Sequence, residues 1–307
     1  MNQSRMCEHK LDDVTVVIPT YNRSEELARA LNSLVVQTDR DFDVIVCDDG
    51  STEDIASVTH SFANSLRLQL LRIDNSGGPA RPRNTAIQAT RTRWVSFLDS
   101  DDWWFPERMA RVKAELDEDC DIVYHQLSVE RADRSAFAKP AHGASLGDAL
   151  RVADPLTHMI RFGNPLPTSA TTVRNELMQT IGGFEENREL ASVEDFDAWL
   201  RLASRGVRMK MIPERLGAYW VGAEQISTFN PHQYERQRNL FQRQLQLLPL
   251  SYRALAQSNF SYLLGSYALD LGLPGAREHY RDISLRLEPV RWVKARLRLL
   301  RLRAKNP

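Results

Sequence analysis

The sequence holds no apolar run of about 18 residues, so no segment reads as a membrane-spanning helix. Met1 to Lys10 is polar, and no secretory leader is expected from it. Cysteine is scarce: Cys7, Cys47 and Cys120 are odd in number, lack metal-ligand spacing, and Cys47 falls inside an apolar run. This favours a reducing, cytoplasmic setting over a disulfide framework. The seven histidines (His9, His60, His125, His142, His158, His232, His279) show no paired metal spacing and are expected to be surface or packed residues. There is no Gly-x-Gly-x-x-Gly and no Gly-Lys-Ser/Thr loop, which removes a Rossmann dinucleotide fingerprint and a P-loop.

Net charge is missing too, since 40 Lys and Arg balance 40 Asp and Glu. No whole-protein argument for nucleic-acid binding survives that balance. The balance is a cancellation, however. From Glu288 to Pro307 seven basic residues face one acid, whereas acids crowd into Asp39 to Asp54 and Asp99 to Asp121. The chain reads as an acidic body with a basic C-terminal end.

What is present in the first half is an alternation of short β-branched runs with helical patterns. Val14 to Ile18, Val44 to Cys47, Leu68 to Ile73 and Trp94 to Leu98 read as strands, separated by helices at Glu25 to Val36, Glu53 to Asn64 and Pro79 to Thr90. Near-continuous apolar strands alternating with helices predict an α/β fold with a mostly parallel sheet covered on both faces. Further strands are expected at Ile122 to Leu127, Ala170 to Val173 and Met209 to Ile212, and a helix at Phe196 to Arg205. After about Gln225 the pattern is helical, with Tyr252 to Leu269 and Pro274 to Leu287 forming a helical hairpin. The expected division is 1–225 as a catalytic domain and 226–307 as a helical extension with a basic amphipathic tail.

In parallel sheets ligands bind beyond the carboxyl ends of the strands, and each of these strands ends in a polar cluster. The sharpest is Phe97-Leu98-Asp99-Ser100-Asp101-Asp102, an apolar strand opening into three carboxylates. Acids packed this closely call for a cation, and oxygen-only donors suit Mg²⁺ or Mn²⁺ shared with a substrate diphosphate. The same acids could instead cap a helix begun near Pro106. Asp48-Asp49-Gly50-Ser51-Thr52 reads equally as a turn and helix cap or as a ligand cluster. Trp103-Trp104-Phe105 suits either a sugar-stacking platform or core packing. His142 to Ser145, with Gly143, reads as a loop.

Six elements in order resemble family 2 glycosyltransferases of the GT-A fold. They are Val16-Val17-Ile18-Pro19-Thr20-Tyr21-Asn22-Arg23, Asp48-Asp49-Gly50-Ser51-Thr52, Gly77-Gly78-Pro79-Ala80 running to Arg83-Asn84, Phe97 to Asp102 with Pro106, Ile181-Gly182-Gly183-Phe184, and Glu194-Asp195. The resemblance covers roughly Val14 to Val221. It implies an inverting, metal-dependent transfer of a sugar from a nucleoside diphosphate sugar, a UDP-sugar favoured, to a hydroxyl of a saccharide or lipid-linked acceptor. By the same resemblance Pro19, Tyr21 and Arg23 line the nucleoside pocket, with Tyr21 on the base. Asp48 meets the base edge, Arg83 the nucleotide or its phosphates, and Asp99 the ribose or donor sugar. Asp101, with Asp99, holds Mn²⁺ or Mg²⁺, while Asp102 is a supporting acid or a cap. Asp195 is the implied base, with Glu194 beside it. Arg81 and Pro82 depart from the small residues usual there, leaving Arg81 as a rival to Arg83.

Two other readings stay open at this point: a sugar nucleotidyltransferase and a non-catalytic nucleotide-sugar-binding protein. In the tail, Val290, Val293, Leu297 and Leu300 share a helical face with most basic residues opposite. That pattern suits an anionic membrane surface on the cytoplasmic side or a docked helix. Nothing in the sequence speaks to oligomeric state.

Overall fold

The computed structural model describes residues 13–131, 145–222 and 230–305, with side chains described to residue 300. Cys7, His9, His142 and most of the loop beginning at His142 lie outside the described residues. In chain order the elements are β1 (Val14–Thr20), α1 (Ser24–Val35), β2 (Asp43–Asp48), α2 (Ile55–Ser61), β3 (Arg67–Arg72), α3 (Ala80–Ala89) and β4 (Trp94–Phe97). Next come β5 (Trp103–Trp104), α4 (Arg108–Lys113), β6 (Ile122–Arg131), β7 (Ser145–Leu146), α5 (Pro155–Phe162), β8 (Thr171–Arg174) and α6 (Asn175–Thr180). The last are α7 (Glu194–Ala203), β9 (Met209–Val221), α8 (Pro231–Leu247), α9 (Leu250–Asp270), α10 (Ala276–Arg281) and α11 (Pro289–Lys305).

The chain divides into two compact units. The first, residues 1–149, 165–186 and 207–224, contains the whole sheet in the order β3-β2-β1-β4-β8-β6-β9-β5, with β7 beside β6. Strands β3, β2, β1 and β4 run parallel. All seven residues of β1 are buried, because Val, Ile and Thr on both faces suit a strand covered twice. Helix α1 lays Leu27, Ala30, Leu31 and Leu34 on one side at helical spacing, and these join β1 and β2 in the main core. Each such fully buried leucine contributes about 1.5–3 kcal/mol.

The other half of the sheet is mixed. Strand β8 runs antiparallel to both β4 and β6, while β6 and β9 pair in parallel with a register shift at His125 and Gln126. The two-residue β5 hydrogen-bonds antiparallel to β9. There Gly217 lets the backbones close in, since a Cβ on it would stand 2.8 Å from the Trp103 carbonyl oxygen.

The second unit comprises residues 150–164, 187–206 and 225–307, and therefore holds α5, α7 and α8 to α11. Helix α7 packs Trp199, Leu200 and Leu202 inward. It also buries the Asp197 carboxylate, which accepts hydrogen bonds from Arg201 Nε (2.7 Å), Arg243 Nε (3.0 Å) and Gln244 Nε2 (2.6 Å). A buried carboxylate persists only when so satisfied. Phe241 of α8 stacks on Phe260 of α9 at 3.9 Å, and Gly265 of α9 leaves room for the Tyr280 ring. Helix α10 stops at Arg281, short of the expected Leu287. The Ser284 N–H is taken by Ser258 Oγ at 2.9 Å, so it cannot bond the carbonyl four residues back.

Candidate active site

The parallel half of the sheet brings the carboxyl ends of β1, β2, β3 and β4 to one edge. Thr20 of β1 pairs in register with Asp48 of β2, and Asp48 with Arg72 of β3. Pro19 is buried within β1, and Tyr21 stands just past the strand end with 46% of its surface exposed, a ring face open for stacking. Asn22 takes a left-handed φ of 48°, which Asn tolerates better than most residues. Its amide oxygen accepts from the Thr52 N–H at 2.8 Å and its N–H donates to Ser51 Oγ at 2.8 Å, fastening this turn to the loop after β2.

Asp48 is buried. One carboxylate oxygen accepts from the Ser51 N–H at 2.9 Å and the other from Arg72 Nη1 at 2.8 Å, while Arg72 Nη2 donates to the Ser51 carbonyl at 2.7 Å. The cap of α2 is Asp54, whose carboxylate accepts from the Ser57 N–H at 3.0 Å, so Asp48 and Asp49 are free of capping duty. Asp49 instead binds the Ser76 N–H at 2.8 Å.

The acid loop after β4 carries its charges against three arginines. Asp101 is ion-paired to Arg23, and Asp99 to Arg83 at 2.5 Å. Burial holds the Asp101 carboxyl above its ordinary range against the pull of Arg23, with the Asp99 charge adding to the rise. Asp102 is fully buried and pushed well above the usual carboxylate range, first by burial and then by Asp101 and Asp99. Its Oδ1 accepts from the Trp220 N–H of β9 at 2.9 Å. Asp102 is not a helix cap: α4 begins at Arg108, beyond Pro106, with Glu107 in the capping position and no side-chain capping bond. The third arginine, Arg29 of α1, donates from Nη2 to the Asp101 carbonyl at 2.6 Å. Its guanidinium lies 4.7 Å from the Trp103 ring and 4.8 Å from the Trp220 ring.

Arg81 is exposed, whereas Arg83 is buried beside the acid loop with its guanidinium 5.2 Å from the Phe184 ring. Phe184 is held by Asn84, which accepts from its N–H and donates to its carbonyl, both at 2.8 Å. Gly183, at φ 75°, lies so close that a Cβ would stand 2.3 Å from Asn84 Oδ1. The Gly182-Gly183-Phe184 run thus ends α6 and supplies the ring that seats Arg83.

Of the three aromatics after the acids, Trp104 is core. It is 2% exposed and donates from Nε1 to the Ser169 carbonyl at 2.7 Å. Arg108 lies over its ring at 3.6 Å, donates from Nε to His125 Nε2 at 3.2 Å, and is lowered to about 9 by burial. His125 is lowered to about 3, first by burial and then by Arg108, and so sits neutral. Trp103 is half-buried on Arg29.

The expected base pair belongs to the second unit. Asp195 is half-buried in the first turn of α7, where acids favour the helix dipole, and its Oδ2 accepts from Asn164 Nδ2 at 3.1 Å. Glu194 is buried beside it. Two residues that the sequence pattern did not single out, Arg29 and Arg72, hold Asp101 and Asp48. The available signal was register, since Arg72 ends β3 opposite Asp48.

Among the described residues no three His, Cys, Asp or Glu side chains gather into a metal cage. Asp99 and Asp101 supply two hard oxygen donors at the strand end, each paired here with an arginine. They fit Mg²⁺ or Mn²⁺ in the manner of a site completed by substrate phosphate oxygens.

Parallel strands ending in polar clusters, a mixed second half and flanking helices make up a GT-A fold with a helical C-terminal region. The glycosyl transferase family 2 model matches residues 15–165, and across that segment the chain belongs to this family. An uncharacterized glycosyltransferase of Rickettsia bellii is 27% identical over 230 residues, covering 73% of this chain and 31% of the relative. Three further relatives are spanned over 30%, 32% and 61% of their length, so the chain matches only part of each. Among solved structures, TarS 1–349 of S. aureus in complex with UDP-GlcNAc superposes with a TM-score of 0.60 at 22% identity, over 92% of this chain and 79% of that one. The mannosyltransferase PcManGT of Pyrobaculum calidifontis, in complex with GDP-Man and Mn²⁺, gives 0.61 at 20% identity over 93% and 80%. At these identities the likeness establishes the fold.

Proposed function

We propose that the protein is an inverting, metal-dependent glycosyltransferase that takes a sugar from a UDP-sugar and delivers it to a hydroxyl of a saccharide or lipid-linked acceptor. The observation that carries the reading is the convergence of Tyr21, Asp48, Arg83, Asp99 and Asp101 at one edge of the parallel strands. Tyr21 stacks on the base and the buried Asp48 carboxylate, oriented by Arg72, accepts from its edge. The donor nucleotide of the TarS complex, UDP-GlcNAc, supports uridine as the base.

Asp99 and Asp101 would hold Mg²⁺ or Mn²⁺, which would supply neutralisation of the charge on a departing diphosphate. Arg83, fixed between Asp99 and Phe184, lies beside the same charge. Arg23, ion-paired to Asp101, places a further cation at the strand end where the nucleotide would lie. Asp195 is the base that takes the proton of the acceptor hydroxyl, as the family resemblance implies, and Asn164 orients its carboxylate.

The test is transfer from UDP-sugars by the wild type, Asp101→Ala and Asp195→Asn. Both variants lose transfer, by about 10²-fold or more for the base, and Asp195→Asn keeps UDP binding. Transfer by Asp195→Asn at the wild-type rate would refute the base assignment. A sugar nucleotidyltransferase would instead release a nucleoside triphosphate in the presence of pyrophosphate. A binding protein would hold the donor without turnover.

A further inference from the structure

Helix α11 packs on the second unit by one side only. Ala295 is 1% exposed and joins Tyr280 and Ile283, with Trp292 and Leu299 packed against the same cluster. The helix entry is pinned by Glu288, which pairs with Arg161 at 2.8 Å, and by Arg291, which donates to the Arg161 carbonyl. Arg298 faces Asp270 at 3.6 Å. At 100° per residue, Trp292, Ala295 and Leu299 occupy one arc.

The opposite arc holds the tail's other apolar residues, and they are bare: Val290 is 63% exposed, Val293 47%, Leu297 53% and Leu300 59%. This stripe is edged on both sides by cations, with Lys294 on one flank and Arg296 on the other. In sequence Arg301, Arg303 and Lys305 follow within the same helix. The expected amphipathic helix is therefore present with its polarity divided three ways: a docked face, a bare apolar stripe and two basic margins.

A 3-4-3 spacing such as 290, 293, 297 and 300 is also that of a coiled-coil seam. Pairing with a second copy would set Lys294 and Arg296 against other cations in either strand direction, because both margins are basic. An anionic surface meets the same charges with the opposite sign, and a flat one accommodates a stripe flanked on two sides. The helix is too charged to cross a bilayer, and no described helix is long and apolar enough to do so.

We propose that α11 is an interfacial helix that seats the protein on an anionic lipid surface, burying Val290, Val293, Leu297 and Leu300 among the acyl chains while Lys294 and Arg296 reach the headgroups. Long basic side chains at the margins of an apolar stripe snorkel in this way. The proposal is independent of the transfer chemistry.

The test is co-sedimentation of the full chain with vesicles of phosphatidylcholine alone and of phosphatidylcholine mixed with phosphatidylglycerol. The protein binds the mixed vesicles, less so as salt rises, and leaves the neutral ones. Val293→Asp with Leu297→Asp, and separately Lys294→Glu with Arg296→Glu, lower the bound-to-free ratio by about tenfold or more. Val293, Lys294 and Leu297 are exposed on the undocked side, and Arg296 touches the docked face only through its cation–π contact with Trp292 at 4.9 Å. Circular dichroism and donor hydrolysis in solution therefore stay at wild-type values, and thermal melting falls only slightly, and only in the Arg296 variant. Wild-type protein that ignores the mixed vesicles, or variants that bind them equally, would overturn the proposal. So would lipid-free self-association, seen by sedimentation velocity, that the Val293 and Leu297 changes abolish. Failure to bind vesicles with donor hydrolysis intact removes this proposal and leaves the functional reading standing.

Discussion

Replacing Arg29 by Met tests whether the acid loop is held from behind. The change keeps most of the stem but removes the hydrogen bond to the Asp101 carbonyl and the cation from between Trp103 and Trp220. A hydrogen bond from a charged donor contributes about 1.5–3 kcal/mol. Each cation–π contact adds about 0.5–1 kcal/mol at a partly exposed site. Arg29 is only half-buried, so water recovers part of the loss at the freed carbonyl, and the expected net cost is about 2 kcal/mol. That is roughly 30-fold in the folding constant and about 4–8 °C in the melting temperature of a domain this size.

A second readout separates positioning from simple stability. With the backbone of Asp101 released, the concentration of Mn²⁺ giving half-maximal donor turnover rises several-fold under conditions where the variant is fully folded. Urea denaturation followed by tryptophan fluorescence gives the first number, and donor hydrolysis against Mn²⁺ the second. An Arg29→Met protein with wild-type melting and wild-type metal dependence would refute the reasoning. Arg29→Lys, which keeps the charge but not the planar fork, recovers part of the stability and little of the metal dependence.

Two further outcomes follow from packing beneath the site. His125 is neutral in the fold with its pKa lowered to about 3. The stability contributed by the neutral ring is present above the unfolded value near 6.5 and is lost as pH falls toward 3. The penalty reaches about 3 kcal/mol at pH 4, and His125→Gln flattens this acid limb when urea midpoints are compared between pH 4 and 7; an unchanged slope would count against the burial argument. Gly183→Ala meets both a left-handed backbone and Asn84 Oδ1, and costs about 2–3 kcal/mol. Because Phe184 shifts with it, Arg83 is unseated and donor KM rises more than kcat falls; steady-state kinetics would expose an innocuous substitution.

What could be read before the structure was the part of the fold governed by local rules. Strands β1, β2 and β4 announce themselves because a sheet covered on both faces demands continuous apolar runs. The edge strand β3 shows itself by its leucines among polar residues, and the polar ends of all four mark the ligand edge. The mixed half is less legible. Strand β5 is two residues long and exists only because β9 offers it an edge, and β9 continues well past Ile212 by following β6 through a register shift. Arg29 and Arg72 were invisible for another reason. An arginine on a helix or at a strand end carries no local pattern, and its role appears only when register brings it to Asp101 or Asp48. The tail shows the converse case. Its apolar spacing was plain in the sequence, but that spacing could not say which face docks, and the bare stripe turned out to be the residues with heptad-like spacing.

The central claim is that the strand ends of the first unit bind a nucleoside diphosphate sugar together with a divalent ion. Isothermal titration of UDP-GlcNAc into the full chain, with Mn²⁺ present and then removed by chelation, tests it most directly. The account predicts one site per chain that weakens at least tenfold without the metal, about 1.4 kcal/mol. It also predicts loss of that metal effect in Asp101→Ala and loss of binding in Asp48→Ala. Equal affinity with and without Mn²⁺, or full binding by Asp48→Ala, would contradict it.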